Sequence, residues 1–222
     1  MLLQIEKLVP TDKFLEYIFE ELFSNKIIII DPIHSDLNSF VLEHEEFPRI
    51  FYRYKACFEL NLLMPPDKKK FIQEILKPSI YNPEHEVEAS HLWRQIAVEE
   101  CIEYLLYNIK EVNFDFSPGE KTYTVLDELL NSFSVAQIYG IIWKQIAEAT
   151  RLYQSKQMSQ KHAANSIIGG CQRYGERAIM SKWNLTEYNR IKELPQSVIS
   201  EFFFNVILEI GDLGFKAPPT TP

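Results

Sequence analysis

The chain has 222 residues, 46% of them hydrophobic and 24% charged, with a formal net charge of −8. That balance fits one ordinary globular domain or two closely packed ones, and it excludes a fibrous or disordered chain. Only 7 glycines argue against turn-rich all-β architectures and glycine-rich phosphate loops, so helix is favoured from the start.

Helical signals recur along the chain. Thr11 is an N-cap for Asp12 to Phe23, which carries Phe14, Tyr17, Ile18, Leu22 and Phe23 on one side. Ile27 to Ile30, β-branched throughout and closed by Asp31-Pro32, is the one strand candidate; a strand without partners makes no sheet. His34 to Glu46 reads as a polar connection with a short helix in it. Arg49 to Met64 is aromatic-rich and reads as helix, and a shorter helix follows from Asp67 to Leu76, stopped by Pro78. Asn82-Pro83-Glu84 opens the longest helix, with a cap, a proline at the first position and then acids. It runs to about Lys110, roughly 27 residues or about 40 Å.

Asn113 to Lys121 is the best turn-rich break, and it separates an acidic helical part, 1–112, from a C-terminal helical bundle, 120–215, unless the two form one continuous domain. A short helix over Val125 to Asn131 leads to Ser134, an N-cap. Val135 to Tyr153 is then apolar over most of its circumference, with a thin polar seam of Gln137, Gly140, Lys144, Glu148 and Arg151. Such a helix is expected to lie among others. Ser159 caps a two-faced helix to about Ser181. Ala164, Ile167, Ile168, Cys171, Tyr174 and Ala178 form one side, and His162, Ser166, Gly169, Arg173, Glu176 and Arg177 the other. Gly169-Gly170 inside it costs about 2 kcal/mol relative to two alanines, which predicts a break or a close approach to the backbone.

Asn184 to Glu193 reads as another short helix, and Pro195 to Ile210 as the last, ended by Gly211; the tail from Lys216 reads as extended. Phe202 to Phe204 spans about 200° of arc, so the terminal helix is either deeply buried or meets another chain, as a homo-oligomer or with a protein partner. The predicted architecture is all-α, an irregular bundle of about eight to nine helices with at most a minor β segment near Ile27–Ile30.

The side-chain chemistry is sparser. Cys57, Cys101 and Cys171 are odd in number and widely spaced, and they read as reduced core thiols. No apolar run approaches the roughly 20 residues of a spanning helix, and no export signal opens the chain, so a cytoplasmic protein without membrane association is expected. Residues 1–119 carry 12 Lys and Arg against 21 Asp and Glu, whereas 120–222 carry 11 against 10. Within 151–190 lies a local +5, from Arg151, Lys156, Lys161, Arg173, Arg177, Lys182 and Arg190 against Glu176 and Glu187. A basic region on an acidic protein attracts anionic partners, although solvated basic faces are common. The candidate binding residues are Arg151, Lys156, Lys161, His162, Arg173, Glu176, Arg177 and Lys182, with Tyr174 or Trp183 placed for stacking. Glu176 has the spacing to pair with Arg173 or Arg177.

Three sharper motifs fall short. Val125 to Asn131, the turn Ser132-Phe133-Ser134 and the helix after it have helix-turn-helix spacing, but that second helix lacks the broad polar face that groove reading needs. Glu84, Glu88, His91, Gln95 and Glu99 form a stripe whose Glu88-x-x-His91 spacing suits a metal, yet the second pair of a di-iron bundle is missing. No nucleophile elbow or phosphate-binding glycine motif occurs. The first expectation is a non-enzymatic intracellular binding or adaptor protein using the outer face of the 159–181 helix, with no cofactor. The alternatives are a nucleic-acid-binding protein using the basic 151–190 region and a metal-dependent enzyme using Glu88 and His91.

Overall fold

The computed structural model describes residues 7–41, 50–52, 55–61, 70 and 86–219. They belong to two compact units, one of Met1–Asp12 with Ile75–Pro222 and one of Lys13–Glu74.

In the smaller unit, helix α1 spans Asp12–Ser24. Four short strands follow: β1 (Ile28–Asp31), β2 (Phe40–Val41), β3 (Ile50–Phe51) and β4 (Cys57–Leu60). β1 pairs antiparallel with β4, setting Ile28 opposite Leu60 and Asp31 opposite Cys57, and β2 pairs antiparallel with β3. The β-branched run therefore does find a partner. That partner comes from the aromatic stretch read as a helix over Arg49 to Met64, which at residues 50–51 and 57–60 is strand instead. Aromatic residues favour a half-buried pleat as readily as a helix face. Here Phe58 meets Phe19 of α1 at 4.8 Å between ring centroids, and Phe51 meets Phe23 at 5.5 Å. The predicted 67–76 helix lies outside the described residues, apart from Lys70.

The larger unit is helical: α2 (Glu86–Glu111), α3 (Glu120–Leu129), α4 (Val135–Gln154), α5 (Gln160–Met180), α6 (Val198–Phe202) and α7 (Leu213–Lys216). Among the described residues this makes seven helices with α1 of the smaller unit, fewer than the eight to nine expected, alongside the small antiparallel pairings. Residues 184–193 are not helical, and the terminal helix begins only at Val198, behind the N-cap Ser197. The tail reading also fails at Lys216, which closes α7. The start predicted at Pro83 lies outside the described residues.

Caps fix the helix ends as the residue types require. Ser134 accepts from the Gln137 backbone N–H while the Gln137 side chain returns to the Ser134 N–H, a full capping box. Ser159 accepts from the His162 N–H at 3.3 Å. At the other ends, α1, α2, α4 and α5 close with Lys26, Asn113, Lys156 and Lys182 in the left-handed region, at φ of 55°, 55°, 58° and 51°. Each turn makes the paired bonds of a Schellman motif, as when Lys182 N–H donates to Ile179 O and Trp183 N–H to Ala178 O.

In the larger unit α4 is central to the main cluster of buried residues. Val135, Ile138, Tyr139, Ile141, Ile142 and Ile146 are buried, together with Cys101, Ile102 and Leu105 of α2 and Ala164, Ile167 and Cys171 of α5. The enclosure is less complete than the apolar circumference predicts, since Trp143 is 51% and Tyr153 41% exposed. α5 stays continuous through Gly169-Gly170. Gly170 is where the backbone is approached: a Cβ there would run into the Gln145 side chain of α4. At Gly169 the nearest neighbour would be only an Arg173 guanidinium nitrogen, at 3.2 Å.

α6 widens into a π turn over Phe203–Ile207, with Leu208 N–H donating to Phe203 O at 2.9 Å. Phe203 and Phe204 are both buried within the chain, whereas Val206 and Ile207 remain exposed. The three-phenylalanine arc is thus largely satisfied internally. Phe204 meets the Trp93 ring at 5.7 Å, and Trp93 Nε1–H donates to Gly214 O at 3.0 Å.

Candidate functional site

α5 presents to solvent the face that its periodicity indicates. Lys161, His162, Arg173, Glu176 and Arg177 are exposed, Ser166 and Gly169 half-buried. Its inner face, Ala163, Ala164, Ile167, Ile168, Cys171 and Ala178, is buried in the core. The candidate residues do not form one patch. Lys156, Lys161 and His162 lie at the α4–α5 turn, whereas Arg173, Arg177 and Lys182 lie at the far end of α5. From His162 to Arg173 the helix rises about 16 Å at 1.5 Å per residue.

Partners divide the basic residues further. Arg151 is committed to Glu148 of its own helix, through bonds of 2.9 and 2.6 Å. That pair holds the Glu148 carboxyl below its usual range. Arg190, counted in the basic region, is not on the surface patch at all: its guanidinium reaches both oxygens of the buried Glu100 at 2.7 Å. Arg94 is bonded to Asp127 and Asn131. Of the described arginines only Arg173 and Arg177 have no hydrogen bond, ion pair or ring contact among the described residues. Glu176 lies beside them at the spacing expected for pairing, yet bonds neither.

Around this end of α5 a lysine of α4 and a tryptophan of the turn beyond gather against aromatic and apolar residues of α5 itself. Lys144 of α4 donates to the Tyr174 hydroxyl at 3.1 Å, its ammonium 4.6 Å from the ring centre. The Tyr174 ring lies 5.4 Å from Trp183, which the Schellman turn folds back over the helix end. Ile179 is 50%, Met180 85% and Trp183 42% exposed. Lys144 was legible only as part of a polar seam, because its neighbour Tyr174 is 30 residues on, across the α4–α5 register. Ile179 and Met180 carried no signal; a periodicity argument assigns apolar residues to a core face by default.

Elsewhere the chemistry is structural. Tyr139 OH donates to Glu100 O at 3.3 Å, and Ser200 Oγ to Glu100 Oε1 at 2.8 Å. Glu99, the last member of the acidic stripe, is buried and bonded to Thr11. Glu88 and His91 are exposed, and no group of three or more potential metal ligands occurs among the described residues. Burial pushes the Cys101 thiol up and the Cys171 thiol up to about 12. Cys57 departs from the core reading, since it is exposed at the start of β4 with its Sγ 3.1 Å from His34 O. No helix among the described residues is long and apolar enough to cross a membrane. Comparison with family models, curated proteins and solved structures returned no match.

Proposed function

We propose that this chain is a non-enzymatic binding or adaptor protein of the cytoplasm, and that its docking surface for an anionic partner is the outer face of α5. The observation that carries the reading is the pair Arg173 and Arg177, one turn apart and bonded to no carboxylate, where Arg94, Arg151 and Arg190 each have an ion-pair partner. Like charges four residues apart cost a helix about 0.2–0.5 kcal/mol, a cost that a bound anion reverses. Lys144 and Lys182 add to the positive potential at that end. The three free thiols accord with a reducing compartment.

The test is fluorescence anisotropy of three labelled polyanions, poly-L-glutamate, mixed-sequence RNA and mixed-sequence DNA, over a salt series. The Arg173→Glu/Arg177→Glu variant is run beside the native chain. Binding that weakens with salt and is lost in the variant supports the reading, and a preference for RNA or DNA over polyglutamate would move it to nucleic acid. No binding of any polyanion at low salt, where non-specific attraction is strongest, would overturn it.

A further inference from the structure

Resting on that reading, we infer that the partner is a protein, and that it docks an acidic amphipathic helix along the outer face of α5 between Gly169 and Met180. At 100° per residue, Gly169, Arg173, Glu176 and Met180 fall within about 60° of one another, with Arg177 at one edge. One incoming segment can therefore touch all of them. Arg173 and Arg177 are about 6 Å apart along the axis, the separation of two carboxylates at positions i and i+4 of a facing helix. Planar guanidinium forks suit carboxylate recognition.

The apolar groups decide the class of macromolecule. Met180 is 85% exposed directly beyond Arg177, with Ile179 and Trp183 exposed beside it. Methionine, tryptophan and arginine together form the composition of protein–protein interface cores. A phosphate backbone would gain nothing from Met180 and Ile179, whereas an amphipathic helix sets its own apolar side chains against them. A short acidic segment feels chiefly the local field, because surface charges beyond a Debye length of roughly 8 Å are screened in physiological salt. Gly169 permits close approach: no side chain but the mobile end of Arg173 lies near its outward face.

The experiment uses the full chain and a labelled helical peptide of about 14 residues, with two Glu at i and i+4 and a Leu one turn beyond. Controls are the same peptide with Gln for Glu, poly-L-glutamate and an RNA of similar length. The acidic peptide is expected to bind, to weaken at least about tenfold with the Arg173→Gln/Arg177→Gln variant, and to weaken separately with Met180→Gln, while the Gln peptide fails. Circular dichroism of each variant confirms that α5 remains folded. If RNA or polyglutamate binds through the arginines and the peptide gains nothing from Met180, the helix inference falls and the anionic-partner reading stands. If no probe binds, both fall.

Discussion

Arg190 places one guanidinium nitrogen 2.7 Å from each carboxylate oxygen of Glu100, joining the irregular 183–197 segment to the buried middle of α2. The same guanidinium lies 4.0 Å over the Phe215 ring, and Ser200 supplies a further bond to the carboxylate. A half-removed buried pair leaves an uncompensated charge, so Arg190→Ala is expected to cost about 3–5 kcal/mol in urea unfolding. The double change Glu100→Leu/Arg190→Met should recover at least half of that loss, because two apolar groups of similar volume remove the desolvation penalty along with the attraction. A double variant no better than the single would mean that the pair does more than neutralise itself.

The lysines that close α4 and α5 occupy conformations that glycine usually takes. Lys156 and Lys182 sit at φ of 58° and 51°, and their charges oppose the negative end of each helix dipole, worth about 0.3–1 kcal/mol. Lys156→Val is expected to be less stable than Lys156→Gly by about 1–2 kcal/mol, the strain of a side-chain-bearing residue in the left-handed region. Equal melting of the two variants would show that the Schellman turn does not form.

Glycines separate an open site from a packed one. Gly169→Ala on the outward face of α5 should stabilise the chain by about 0.5–1 kcal/mol, the helix-propensity gain. Gly214→Ala should destabilise it by about 1–3 kcal/mol, since the new methyl would collide with the buried Phe204 ring. Thermal unfolding of the two variants distinguishes them, and the opposite order would contradict the packing described.

Burial pushes the Glu103 carboxyl above its ordinary 4.5, with the bonded Lys7 ammonium pulling the other way. The folded state therefore holds this proton more tightly than the unfolded chain does. The associated stability is fully present below the unfolded value and is lost as pH rises through the folded one. Urea midpoints measured from about pH 4 to pH 7 should show the native chain losing ground to Glu103→Gln as pH rises. Parallel curves would place Glu103 in a better-solvated setting.

Sequence periodicity located the helices whose faces differ in polarity. α5 has eight buried residues on a regular stripe, and the serine caps of α4 and α5 lie at the residues their type indicates. Where local pattern is ambiguous, tertiary packing decided. Phe51 and Phe58 joined strands because Phe19 and Phe23 face them, and Phe204 was buried through a π turn and a glycine ten residues later. The candidate surface was half visible: the exposed arginines follow from helical spacing. The commitment of Arg190 to Glu100, 90 residues away, and the meeting of Lys144 with Tyr174 depend on pairings between distant segments that no local window contains.

The most direct measurement compares folding and binding in one variant. Arg173→Glu/Arg177→Glu removes the repulsion between two like charges but sets two acids in their place beside Glu176, so unfolding free energy should stay within about 0.5 kcal/mol of the native chain's. Binding of the acidic helical peptide should be abolished at every salt concentration. A folded variant that binds the peptide as the native chain does would contradict a docking role for Arg173 and Arg177, and a variant that unfolds would show that the two arginines serve the fold instead.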